Sequence, residues 1–178
     1  MATEILRPNA DGVDTAWTAS AGADWECVDE AVADDDTTYI EVAALTAADA
    51  DELVALQDSA LGVSDTINSV TLTLRLRRIP GGTAPSYNII WRDNGVKTIT
   101  VTAALASTAF VDITETLTLR PSDDAPWTLT DLNDLQVGLA RVGNVATGGI
   151  RCTQIFVTVD YTAAGSHRRR TLDLMGLG

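Results

Sequence analysis

The chain has 178 residues, 46% of them apolar, and a formal net charge of −13. A single domain of this length buries about 70% of the surface that its unfolded chain exposes, and the apolar content excludes an intrinsically disordered protein. No apolar run approaches the ~18 residues of a membrane-spanning helix, and so acidic a body repels phosphate backbones, so neither membrane nor nucleic acid is expected as a partner.

Residues 5–9 (ILRPN) read as a short opening strand, which Pro8 confines to an edge or a strand start. Asp11, Gly12 and Asp14 read as a turn. Trp17 and Trp25 flank a loop of small residues, and residues 25–30 (WECVDE) resume extended alternation. An acidic corner at 33–37 (ADDDT) precedes a short strand at 38–42. Residues 46–61 admit two readings. Their Ala, Glu and Leu content suits a short helix capped by Thr46 or Asp49, whereas the bunched apolar residues 53–56 suit a loop followed by a strand at 52–57.

The strongest periodic signal lies at 67–78 (INSVTLTLRLRR). Val70, Leu72, Leu74 and Leu76 share one parity, and Thr71, Thr73, Arg75 and Arg77 the other, which predicts a strand with one apolar and one wet face. A Gly/Pro-rich loop at 79–85 follows. Residues 87–92 and 96–101 then flank Asp93-Asn94-Gly95, and Asn-Gly supplies the positive φ angles of a tight hairpin. Residues 111–120 alternate again. Residues 127–135 (WTLTDLNDL) predict a corner with one turn of helix capped by Thr130, and strands at 136–142 and 151–161 close the pattern.

Short strands separated by turn signals define an all-β fold: a two-sheet antiparallel β-sandwich, jelly-roll-like, over residues 1–162. Residues 163–178 form an extended C-terminal arm, with a flexible spacer, three arginines and an apolar tip. Charge is unevenly placed, since residues 1–66 hold sixteen acids and one base while residues 67–178 hold eleven bases and nine acids. Cys27 and Cys152, outside any CxxC spacing, read as two small buried thiols, with a disulfide as the alternative in an oxidising site. The N-terminus has neither a basic nor an apolar leader region, so folding in a cytoplasm is expected.

Four features invite a functional reading. Asp29, Glu30, Asp34, Asp35 and Asp36 are the one cluster that suits calcium, but they lack the alternate spacing and central glycine of a helix-loop-helix calcium loop. A solvated acidic corner is the better reading, with no metal and no cofactor. Trp91 shares the parity of Tyr87 and Ile89 and belongs to the core; Trp127 plugs a corner. Trp17 and Trp25 are therefore the candidates for a glycan-stacking platform. Catalysis has no foothold. His167, the single histidine, sits beside Arg168, and no Ser-His-Asp or Cys-His pair can form on the body, so the chain is not expected to be an enzyme. Finally, Arg168, Arg169 and Arg170 followed by Leu172, Leu174, Met175 and Leu177 compose a basic stem with an apolar tip, suited to docking on a neighbouring subunit.

The opening ILRPNADG, the block WECVDEAVADDDTTYI, the strand INSVTLTLRLRR and the closing WTLTDLNDLQVGLARV and IRCTQIFVTVDY come in an order that resembles small jelly-roll modules among the structural proteins of tailed bacteriophages. The resemblance spans residues 1–162 and implies a non-enzymatic virion component. That would be a capsid decoration (cement) protein or a head-fibre or tail-associated module, assembled in the host cytoplasm. Its partners would be the major capsid protein, other virion subunits or further copies in a homo-oligomer. The alternative is a carbohydrate-binding module or a fibre adhesin whose partner is a glycan.

Overall fold

The computed structural model describes residues 1–43, 50–142 and 148–164. Its central strand is the one that alternation predicts: β6 (Thr66–Arg78) buries Val70, Leu72, Leu74 and Leu76 completely and turns Thr71, Arg75 and Arg77 outward. It lies between β9 (Val111–Leu117) and β11 (Ile150–Thr162), antiparallel to both. β11 in turn carries two short partners end to end along its other edge. β4 (Ile40–Val42) pairs with residues 150–152, and β1 (Ala2–Leu6) with residues 157–161. In the gap between them, Ile155 N–H donates to the Val28 carbonyl at 2.8 Å and Gln154 Nε2 to that of Glu30 at 2.6 Å. β3 (Thr18–Ala19) adds an outer strand to β4.

The second sheet runs in the order β2 (Pro8–Thr15), β5 (Ala50–Leu56), β10 (Gln136–Val142), β7 (Ser86–Asp93), β8 (Val96–Ala104). All pairings are antiparallel, and the two sheets form a jelly-roll sandwich. Val54, Leu56, Ile89, Trp91, Val137 and Leu139 meet the apolar face of the first sheet to make one core. Trp91 and Trp127 pack at 6.1 Å between ring centroids, inclined at 49°, and Trp91 Nε1 donates to Glu115 Oε2 at 2.8 Å, which satisfies the polar end of a buried ring. The β7–β8 turn has Asn94 at φ 47° and Gly95 at φ 74°, the positive pair that Asn-Gly predicts.

Three local expectations are corrected. The extended reading at 25–30 gives way to a 3-10 turn, Trp25–Cys27. The turn at Asp11–Asp14 is a bulge inside β2, with register shifting between Asp11 and Thr15. The helix α1 (Leu129–Asn133) is capped by Thr128 rather than Thr130. Thr128 and Asp131 form a reciprocal capping box, with the Asp131 carboxylate on Thr128 N–H, so a Thr-x-x-Asp spacing does the work usually given to Thr-x-x-Glu. The strand reading at 52–57 holds as β5. Its apolar residues bunch because Val54 and Leu56 face the core while Leu53 is buried on the opposite face. A strand buried on both sides loses its alternation. Cys27 and Cys152 are buried free thiols.

Candidate functional site

The acidic corner is consumed by the other half of the chain. Arg75 Nε donates to Asp35 Oδ1 at 2.6 Å and its Nη1 to Asp112 at 3.0 Å. Asp36 receives both Arg77 (2.6 Å) and Arg151 (2.5 Å), and Arg151 also holds Glu41 at 2.7 Å. Phe110 lies 5.6 and 5.0 Å from the Arg75 and Arg77 guanidinium carbons, and Tyr39 lies 3.5 Å from that of Arg151. This lattice straps the 34–36 loop onto the outer face of the first sheet. Asp34 is drawn inward, its carboxylate accepting from Thr38 N–H and from the hydroxyls of Thr38 and Thr153. Glu30 bonds the Thr38 hydroxyl at 2.5 Å, and burial raises its pKa. Asp29 offers its carbonyl, not its carboxylate, to Arg7. Among the described residues no group of three or more His, Cys, Asp or Glu side chains could hold a metal ion. Of the five calcium candidates Asp29, Glu30, Asp34, Asp35 and Asp36, two carboxylates (Asp35 and Asp36) are paired with arginines and two (Glu30 and Asp34) are turned to threonine hydroxyls.

The tryptophan platform is corrected as well. Trp17 is 5% exposed; its Nε1 donates to the Ala50 carbonyl and its backbone N–H to Glu52 Oε2, both at 2.9 Å. Trp25 is half-buried against the core, its N–H on Asp11 Oδ1 at 3.0 Å. The Trp17 ring is not presented to a ligand, and it closes the end of the sandwich over Glu52; Trp25 packs one side on the core and remains partly exposed. The docking arm (Arg168, Arg169, Arg170, Leu172, Leu174, Met175, Leu177) lies outside the described residues.

One surface was not legible in the sequence. Lys97 on β8 forms a salt bridge with Asp51 on β5, three strands away. Lys97 stands opposite Arg92, Arg92 opposite Gln136, and Gln136 opposite Ala55, four residues beyond Asp51. In a flat sheet, strand spacings of about 4.8 Å and a rise of about 3.4 Å per residue would hold these Cα atoms roughly 20 Å apart. The two side chains together reach only about 10 Å. The five-stranded sheet therefore curls along the Asp51–Lys97 diagonal and is concave on the face turned away from the core, the expected outcome of strong strand twist.

Leu53, Ile90 and Ala140 form a small apolar cluster of their own on that concave face. The β2 bulge crosses above one end of it. A Cβ on Gly12 would lie 2.7 Å from the Leu53 Cβ, and Val13 N–H reaches over to Gln136 Oε1 at 3.1 Å. Around the cluster stand Asn88, bonded to Thr102 at 2.7 Å, with Gln136, Arg92 and the Lys97–Asp51 pair. Leu53, Ile90 and Ala140 are at most 1% exposed and Asn88 is buried as well, so the surface of this curved face is formed by the polar side chains over the cluster, Gln136, Arg92 and the Lys97–Asp51 pair.

No family model matches this sequence, and no curated protein matches it. Among solved structures the fold is similar to the CBM22-1 and GH10 modules of endo-1,4-β-D-xylanase 10B from Clostridium thermocellum, complexed with xylohexaose. The TM-score is 0.50 at 12% identity, over 88% of this chain and 27% of that one. This chain thus spans about a quarter of the length of that xylanase chain. It is also similar to the xylan-binding module CBM15, with TM-score 0.49 and 14% identity over 92% of this chain and 100% of that one. A third similar structure is the CBM22-1 xylan-binding domain of Paenibacillus barcinonensis Xyn10C, with TM-score 0.46 and 10% identity over 92% and 98%. At these identities the likeness is one of fold, a β-sandwich jelly roll.

Proposed function

We propose that this domain is a non-catalytic glycan-binding module whose binding surface is the concave outer face of the five-stranded sheet. The observation that carries the reading is the curl recorded by the Lys97–Asp51 bridge. It bends the sheet face, and on that face stand Gln136 and Arg92, side chains that exchange hydrogen bonds with sugar hydroxyls. The two-module xylanase chain to which the fold is similar at TM-score 0.50 was solved in complex with xylohexaose. The other outer face suits a ligand less well, because its arginines and carboxylates are already paired with one another.

Affinity electrophoresis and calorimetry of the intact chain against soluble polysaccharides test this. Binding is expected for at least one polymer, weakened at least about tenfold by Arg92→Ala combined with Gln136→Ala, with the fold retained. Retention of full affinity in that variant would remove the concave face as the site, and lack of binding across the panel would remove the function.

A second reading, a bacteriophage virion component such as a capsid decoration protein, is favoured by where the chain ends leave the domain. Ala2 stands opposite Tyr161, and Asp65 accepts the Ala164 N–H at 2.8 Å, so N-terminus and C-terminal arm depart from one pole. Many copies tethered at one pole multiply weak contacts. Copurification with particles in fixed stoichiometry, lost on deleting residues 163–178 from a still-folded domain, is the expected result. Incorporation of that truncation at the full level overturns the arm as an anchor.

A further inference from the structure

We infer that the concave face selects glycans bearing carboxylate groups, with Arg92 as the residue that reads the charge; this deepens the glycan reading above and rests on it. In a chain with 25 acids and 12 bases, cations are expected to be paired. Arg75, Arg77, Arg120 and Arg151 each hold at least one carboxylate. Arg92 does not: no carboxylate of the described residues lies within salt-bridge distance of it. Its position makes this notable, because its direct cross-strand neighbour on β8 is Lys97, and like charges facing each other across a pair of strands repel. Lys97 turns along the diagonal to Asp51, which leaves the guanidinium on its own.

On the other side Arg92 faces Gln136 of β10. The Gln136 carbonyl oxygen is engaged by Val13 N–H at 3.1 Å, and this orients the amide so that its nitrogen is left to donate. Arg92 and Gln136 thus stand opposite each other on neighbouring strands, and the Arg92 guanidinium lies at the β7–β8 end, with Nη2 3.8 Å from where a Cβ on Gly95 would be. A guanidinium fork matches a carboxylate in shape as well as charge, and a charge-assisted pair is stronger than the bonds it makes to neutral sugar hydroxyls. A uronic acid substituent on a polysaccharide chain lying on the concave face supplies such a carboxylate.

The test compares acidic polymers with their carboxyl-reduced counterparts, using glucuronoxylan and polygalacturonate. The intact chain is titrated with all four by calorimetry at low and high salt. At least one acidic polymer is expected to bind about tenfold more tightly than its reduced form, as suits one charge-assisted contact, with the advantage shrinking as salt rises. Arg92→Gln should erase the advantage, lowering affinity for the acidic polymer far more than for the reduced one, and Arg92→Lys should keep part of it. Equal binding of acidic and reduced polymers, or an advantage that survives in R92Q, overturns the charge selectivity while the glycan reading stands. Absence of binding to every polymer, neutral ones included, overturns both.

Discussion

The backbone N–H of Trp17 donates to the carboxyl of Glu52 at 2.9 Å, and that carboxyl is wholly buried. Its second oxygen, Oε1, has no hydrogen-bond partner. Burial pushes the Glu52 pKa up to about 8; the Trp17 N–H opposes the shift, and the nearby Asp24 and Asp11 carboxylates add to it. The folded protein thus holds a proton on Glu52 that the unfolded chain gives up near pH 4.5. Stability is expected to fall as pH rises from about 4.5 to about 8, at up to ~1.4 kcal/mol per pH unit, and to level off above that. Glu52→Gln keeps an acceptor for Trp17 and carries no charge. Melts between pH 5 and 9 should show a flattened slope and a gain of at least about 2 kcal/mol at pH 8. An unchanged slope would mean that Glu52 is ionised in the native state.

Asp35 titrates in the opposite sense. Its hydrogen bonds from Arg75 hold its carboxyl below the ordinary aspartate value of 3.8. Its contribution is therefore present above that value and lost as pH falls through the lowered one. The pair is partly solvated, so Asp35→Asn should cost only about 0.5–1 kcal/mol at pH 7. The gap between variant and parent should close in strong salt and as pH falls through that lowered value.

Arginines hold Asp35 and Asp36, so a divalent ion at this corner would have to displace them. Melting curves recorded with a chelator and with millimolar calcium are expected to superimpose. A calcium-dependent rise in melting temperature would show that the 29–36 loop binds the ion after releasing its arginines.

Thr128 and Thr130 separate two accounts of α1. The capping box belongs to Thr128, so Thr128→Ala should cost about 1 kcal/mol, and Thr130→Ala, off the cap, a few tenths. Asp131 also holds Arg120 at 2.5 Å in a nearly dry setting. Removing it in Asp131→Ala leaves Arg120 with only the exposed Asp123 and also breaks the capping box, and should cost about 2–3 kcal/mol in chemical denaturation. Equal costs for the two threonines would return the cap to Thr130.

Much of the fold was readable where one face of an element meets water. The 67–78 strand and the Asn-Gly hairpin follow from alternation and turn chemistry within a few residues. The strand at 50–56 did not read cleanly, because Leu53 and Val54 are buried on opposite faces and the pattern of period two disappears. Trp17 read as exposed because the loop around it is small and polar. Its burial depends on Glu52, thirty-five residues onward. The acidic corner read as a calcium candidate because its counterions, Arg75, Arg77 and Arg151, lie 40 to 115 residues away.

By itself, then, the sequence determined an all-β chain with one central strand, its hairpin and a marked division between an acidic first third and a balanced remainder. Backbone geometry imposes those features residue by residue. Only the tertiary structure decided which carboxylates would be neutralised, which tryptophans would be hidden, and that the five-stranded sheet would curl far enough for Lys97 to reach Asp51. Each of those outcomes depends on where distant segments of chain meet, and local periodicity carries no record of such distances.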